Sequence, residues 1–243
     1  MSADAFFDRL LTPLLGAALL GTDFRRRRLL ARAPTGPLRD FLAVPPPAPD
    51  CRCDAVPYLA LDLETTGGDP ARDEIVSFGW VAVDGARIDL STARHRIVRL
   101  RGAMTPDSAT VHRITDDEAA AGVPLADALG ELLAALAGRV LIAHHARTEL
   151  GFVGAACRRA YGGDIIIPAV DTLDIAGRQL ARLGRTAEPG SLRLGALRRQ
   201  HGLPRYPAHD ALSDALSAAE LYLALLAAHR EASPRLKDWR YRC

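Results

Sequence analysis

From residue 56 onward the apolar positions follow two rhythms. VPYLALDL (56–63) and IVSFGWVAV (75–83) are short, nearly continuous apolar runs, the pattern of strands buried on both faces. Asp84-Gly85 is a hairpin signal, and a third strand follows through about Val98. Three strands in a row predict an antiparallel meander. The rhythm then changes. Helical patterns over 124–136, 148–161 and 172–183 alternate with the apolar runs RVLIA (139–143) and IIIPAV (165–170), which predict two further strands. A loop over 184–190 and a short helix over 192–201 lead to a long final helix over 208–229. That helix gathers Ala211, Ala215, Leu216, Ala219, Leu223 and Leu226 on one face. The predicted class is α/β: a mixed sheet, meander first and parallel strands after, flanked by helices.

Residues 1–50 read differently. Phe6, Phe7, Leu10, Leu11, Leu14 and Leu15 recur at helical spacing, and Pro45, Pro46, Pro47 and Pro49 mark a stiff linker. The expected division is a helical N-terminal extension with a proline-rich linker over 1–50 and the main domain over 51–243. The apolar stretch 10–20 is broken by Pro13 and Gly16 and preceded by Asp4, Asp8 and Arg9, so neither a signal peptide nor a membrane span is expected. Packing of this segment on the main domain is the expectation. The run Arg25–Arg28 reads either as a solvated helix face or as a nucleic-acid contact.

With 243 residues, 49% of them hydrophobic, one well-buried α/β domain plus an extension is expected. A net charge of +2 neither demands nor excludes a polyanionic partner. Lys237 is the only lysine, so nearly all positive charge is arginine, which suits bidentate phosphate contacts. Cys51, Cys53, Cys157 and Cys243 form no CxxC pair, so reduced thiols in a cytoplasmic protein are expected rather than a zinc ribbon or disulfides.

The candidate chemistry lies in three places. In Asp62-Leu63-Glu64-Thr65-Thr66-Gly67, two carboxylates sit at i and i+2 of a buried strand and project to one face. Two such charges call for a cation, and hard oxygen ligands favour Mg²⁺ or Mn²⁺; the other reading is a solvated strand end capping a turn. In Ala143-His144-His145-Ala146-Arg147-Thr148-Glu149, the acid falls in the first turns of a helix that starts where a strand ends. It reads as a ligand or as a complement to the helix dipole. In His209-Asp210-Ala211-Leu212-Ser213-Asp214, histidine and the last aspartate are five apart at the start of the final helix. They read as a metal ligand beside a base, or as a surface helix start capped by Asp210. Taken together in chain order, the three supply four carboxylates and one histidine. That set suits a two-metal site with an imidazole of near-neutral pKa to deprotonate water.

These motifs resemble those of the DEDDh, DnaQ-like exonucleases, the group that includes the proofreading epsilon subunit of bacterial DNA polymerase III. LALDLETTG resembles the first motif, IAHHARTELGFV the second and HDALSDALSAAELYLAL the third. Met104-Thr105-Pro106 through Val111-His112-Arg113-Ile114-Thr115 resembles the loop between motifs. The resemblance runs from about Val56 to Leu226. It implies a ribonuclease H-like fold and metal-dependent 3′→5′ hydrolysis of DNA or RNA ends with release of nucleoside monophosphates. It implies Asp62, Glu64, Glu149 and Asp214 as ligands of two Mg²⁺ or Mn²⁺ ions and His209 as general base. Leu63, Thr65 and Thr66 would cradle the terminal nucleotide, with His112 and His145 near it. The chain departs from the family's usual aspartate at Glu149 and its usual asparagine at His145.

A second reading is an inactive exonuclease fold kept as a scaffold for a polymerase or another protein; five chemically competent residues at the five positions argue against it. The expected partner is a nucleic-acid 3′ end, with residues 1–50 available for a protein partner. Arg147, Arg158, Arg159, Arg193, Arg198 and Arg199 read either as a phosphate track or as solvated helix residues.

Overall fold

The computed structural model describes residues 22–102, 116–207, 209–229 and 234–241. A five-stranded sheet lies at its centre, made of β1 (Pro57–Thr65), β2 (Ile75–Asp84), β3 (Arg87–Ile97), β4 (Val140–Ala143) and β5 (Ala169–Asp171), in the order β3-β2-β1-β4-β5. β1, β2 and β3 pair antiparallel, and β1–β4 and β4–β5 pair parallel. The expected meander and parallel half are both present. The hairpin between β2 and β3 turns at Gly85, whose φ of 63° is a conformation glycine adopts without strain.

The helices are α1 (described over 22–32), α2 (Pro37–Ala43), α3 (Asp116–Ala120), α4 (Leu125–Leu136), α5 (Ala146–Tyr161), α6 (Thr172–Arg182), α7 (Leu194–Gln200), α8 (Ala211–Ala227) and α9 (Leu236–Trp239). They cover both faces of the sheet. On one face Leu59, Leu61, Leu63, Phe78 and Trp80 pack with Leu129, Leu132 and Leu133 of α4 and Phe152 and Val153 of α5. On the other, Tyr58, Ala60, Val81, Val83 and Ile142 pack with Ile175 of α6, Leu197 of α7 and Leu221, Tyr222 and Leu225 of α8. Burial on both sides explains why the first two strands read as continuous apolar runs.

Leu38, Phe41 and Leu42 of α2 are buried in the first of these cores. The chain after the prolines is tied to α9: Lys237 N–H donates to the Pro49 carbonyl at 2.8 Å and Leu236 N–H to the Cys51 carbonyl at 2.9 Å. Where the sequence predicts a strand over 165–170, only Ala169–Asp171 pairs in the sheet. Pro168 accepts a hydrogen bond from Leu141 N–H at 2.9 Å, but it has no N–H to give in return, so the ladder starts after it. Among the described residues no helix is long and apolar enough to cross a membrane.

Candidate active site

β1 outruns its parallel neighbour. Its pairing with β4 covers Tyr58, Leu59 and Ala60, whereas its pairing with β2 continues through Asp62 opposite Gly79 and Glu64 opposite Ser77. Asp62 and Glu64 therefore lie beyond the parallel ladder, on the face that α8 covers. Leu61 and Leu63 point the other way, into the apolar core. The strand pattern has placed two acids at the carboxyl end of the parallel strands, where α/β sheets commonly build sites.

α8 brings the third acid. Asp210 caps it by accepting the Ser213 N–H at 2.8 Å, as residues of this type do at helix starts. Asp214 follows in the first turn. Oxygen atoms of Asp62, Glu64 and Asp214 all lie within 4.8 Å of one another. This approach depends on Gly79. A β-carbon there would stand 2.1 Å from the carbonyl carbon of Ala211 and 2.2 Å from the nitrogen of Leu212. Only a glycine lets the first turn of α8 rest on the sheet.

His209 precedes the cap instead of riding on the helix, as its predicted place at residues 208–229 had it. Its φ is 65°, and its N–H donates to Asp214 Oδ2 at 2.9 Å. The two residues meet through this hydrogen bond, not through helical periodicity. The His209 side chain is exposed at the rim of the acidic group.

Glu149 comes from the first turn of α5 and is 4% exposed. It lies outside the group of three, but among the neighbouring charges its own raises the Asp62 carboxyl most. Two loop ends aim it. Asp171, 2% exposed, accepts N–H groups from His145 at 3.0 Å, Ala146 at 2.9 Å and Leu173 at 2.9 Å, so one carboxylate holds the start of α5 and caps α6. His145, at φ 85°, is exposed, with Nδ1 3.0 Å from Thr148 Oγ1. Neighbouring His144 sets Nδ1 2.8 Å from Thr172 Oγ1, and burial lowers its pKa.

All four acids hold their protons more tightly than usual, with burial as the leading cause. Asp62 is raised well above its ordinary value by burial and then by Glu149, Asp214 and Glu64. Glu64 is pushed up to about 7 by burial and by Asp214 and Asp210. Glu149 rises to about 8, mainly by burial, and Asp214 rises by burial against the hydrogen bond from His209. Glu149 Oε2 is buried without a hydrogen-bond partner. Clustered carboxylates of raised pKa with an orphaned oxygen fit a hard divalent cation, which would neutralise them and use that oxygen.

The remaining expected residues line the turn after β1. Thr65 Oγ1 donates to the Gly67 carbonyl at 2.8 Å, and Thr66 Oγ1 accepts the Glu74 N–H at 3.0 Å, so both hydroxyls also brace the loop. The Leu63 side chain is 8% exposed, which leaves its backbone as the part nearest the acids. His112 lies outside the described residues.

The sequence reading missed two residues on which this geometry depends. Gly79 had a signal: a glycine inside an apolar strand marks a close backbone approach. Asp171 had a weaker one, an acid just before a helix start.

The model of the RNase T exonuclease family matches residues 59–222. The chain is 29% identical over 174 residues to DNA polymerase III subunit epsilon of Treponema pallidum, covering 72% of this chain and 78% of that one. It is 28% identical over 166 residues to the PolC-type DNA polymerase III of Thermotoga maritima, covering 68% of this chain and spanning 12% of that much longer protein. Among solved structures, a zinc-bound complex of E. coli exonuclease I with single-stranded DNA superposes with a TM-score of 0.61 at 20% identity, over 76% of this chain and 42% of that one. Cell-death related nuclease 4 superposes with a TM-score of 0.60 at 16% identity, over 71% of this chain and 64% of that one. These likenesses bear out the ribonuclease H-like fold. With its family match covering β1 through α8, the chain belongs to the RNase T exonuclease family, in its DnaQ-like group.

Proposed function

We propose that this protein is a metal-dependent 3′→5′ exonuclease that releases nucleoside monophosphates from the 3′ ends of DNA or RNA. The observation that carries the reading is the meeting of Asp62, Glu64 and Asp214 within 4.8 Å, with Glu149 acting electrostatically on Asp62. Asp62, Glu64, Asp214 and Glu149 would hold two Mg²⁺ or Mn²⁺ ions. Bound there, the ions supply charge stabilisation for the attacking and leaving oxygens of the phosphodiester.

The protein's own groups do the rest. His209 stands exposed beside Asp214, where its imidazole can take the proton of an attacking water. The turn after β1, with the Leu63 backbone, Thr65 and Thr66, offers the surface on which the last nucleotide rests. His145, and His112 from the loop between motifs, are assigned to the same nucleotide. The relatives' printed names place them in DNA polymerase III, and the same substrate chemistry is proposed here.

The test is cleavage of single-stranded and duplex oligonucleotides labelled at either end, with Mg²⁺, Mn²⁺ or EDTA. A 5′ label should give a descending ladder and a 3′ label immediate mononucleotide, both abolished by EDTA. A ladder from a 3′ label, or cleavage in EDTA, would refute the reading.

A further inference from the structure

We infer that Arg198 and Tyr206 are positioning residues for His209, acting as a clamp that holds Pro204 and Tyr206 against α7 and α8 just upstream of it; this rests on the reading of His209 as the general base. Arg198 is 4% exposed, and a guanidinium buried that deeply must spend its donors on partners. Nη1 donates to the Ser217 carbonyl at 2.9 Å. Nη2 donates to the Pro204 carbonyl at 2.8 Å and to Glu220 Oε2 at 2.7 Å. The Tyr206 ring lies over the guanidinium, 4.7 Å from Cζ to the ring centroid, and its hydroxyl donates to Glu220 Oε1 at 2.9 Å. Arg198 of α7, Glu220 of α8 and Tyr206 thus form a closed set of three. Its contacts grip the segment through a carbonyl and a side chain.

The grip lies just upstream of His209. His209 is three positions beyond Tyr206, a reach of at most about 10 Å, and Pro207 fixes one of the intervening φ angles. The segment is pinned to α8 at Glu220 and again at Asp214, where the His209 N–H binds. Glu220 and Asp214 are about 9 Å apart along the helix axis. At the second pin His209 holds a φ of 65°, a left-handed conformation that is unfavourable for a non-glycine residue and persists only where its surroundings enforce it. The His209 side chain is exposed, so its placement comes from the backbone. The clamp supplies that placement.

Tyr206→Phe removes one hydroxyl at a half-exposed site and leaves the ring over Arg198. Arg198→Lys keeps the charge but loses the fork. Both are measured alone and in a His209→Ala background, by oligonucleotide cleavage and by hydrogen exchange of the residue 209 amide in metal-free protein. Tyr206→Phe should lower kcat about tenfold, with KM within about twofold, because misplacing a reacting group chiefly costs turnover. Residue 209 should exchange faster while central β1 amides keep their protection, and Arg198→Lys should show the same pattern more strongly. In the His209→Ala background neither substitution should lower the residual rate further. An equal loss in both backgrounds, or unchanged exchange at residue 209, would overturn the clamp. His209→Ala cleaving at the wild-type rate would instead overturn the base assignment, and the exchange result would still judge the clamp by itself.

Discussion

Gly79 and Ala211 touch backbone to backbone: a β-carbon on Gly79 would lie 2.1 Å from the Ala211 carbonyl carbon. Gly79 is also the residue paired with Asp62 across β1 and β2. The same contact that seats α8 on the sheet therefore sets how near Asp214 comes to Asp62. Replacing Gly79 by alanine must push backbone, not a flexible side chain. Gly79→Ala is expected to destabilise the protein by about 1–3 kcal/mol, the range for overpacking, and to weaken divalent-ion binding. Denaturant unfolding and a Mn²⁺ titration check both effects. An alanine variant of wild-type stability and affinity would show that the helix does not depend on this seat.

Acids with raised pKa make the metal-free protein sensitive to pH in a definite direction. Burial pushes the pKa of Glu64 up to about 7 and that of Glu149 up to about 8 in the folded chain, against an ordinary value of 4.5. Between those limits the folded state binds more protons than the unfolded state, so stability falls as pH rises. In EDTA the Tm should drop between pH 5 and pH 8, and Mg²⁺ or Mn²⁺ should restore much of it at pH 8. Asp62→Asn removes the acid at the centre of the repulsion. It should raise the metal-free Tm at pH 8, by roughly 2–4 °C for each kcal/mol relieved, while abolishing cleavage. A metal-free Tm that climbs with pH over this window would contradict the assigned electrostatics.

His209 hydrogen-bonds the acidic group through its backbone N–H, and its imidazole acts on Asp214 by charge alone. His209→Ala keeps that N–H, so ion binding should survive. Cleavage should fall by about 10²–10⁴-fold, the usual contribution of a positioned base. Isothermal titration with Mn²⁺ alongside single-turnover cleavage separates the two; loss of ion affinity equal to the loss of rate would move His209 from base to ligand.

Asp171 accepts three N–H groups from two helix starts while nearly wholly buried. Asp171→Ala would leave those donors without a partner, each unmet buried donor costing about 1–3 kcal/mol. A fall in stability together with slower cleavage is expected, since Glu149 rides on the same helix start. Normal unfolding and normal cleavage would show that α5 is held by packing alone.

Much of this was legible from the residues. The apolar runs gave the strand order of the meander because the sheet is covered on both faces, and the i, i+2 spacing of Asp62 and Glu64 gave their common face because strand geometry is local. Partnerships distant in sequence were not legible. Nothing in IVSFGWVAV says which helix will lie on Gly79. Nor does any pattern near residue 198 announce that this arginine is buried, while Arg199 beside it is exposed. The strand expected at 165–170 was shortened by one missing N–H at Pro168, a backbone effect that an apolar run hides. The apolar face of the final helix does not mark its first residue, and the Asp210 cap starts the helix after His209.

Glu149 bears on the chain's departure from the usual motif. Its buried Oε2 has no hydrogen-bond partner, so a longer acid at this position has room for one more ligand interaction. Glu149→Gln keeps size and removes charge. It should weaken binding of one ion and slow cleavage markedly, and Glu149→Asp should retain more activity than glutamine does. Cleavage by the glutamine variant at the wild-type rate would remove Glu149 from the ligand set.

Crystals soaked in Mn²⁺ and measured at the manganese absorption edge give the most direct view of whether these carboxylates gather ions. An anomalous peak bonded to oxygens of Asp62, Glu64 and Asp214, with Glu149 supplying an oxygen to the same ion or to a second one beside it, is the expected result. Clear anomalous signal elsewhere with none among these four acids at saturating Mn²⁺ would contradict it.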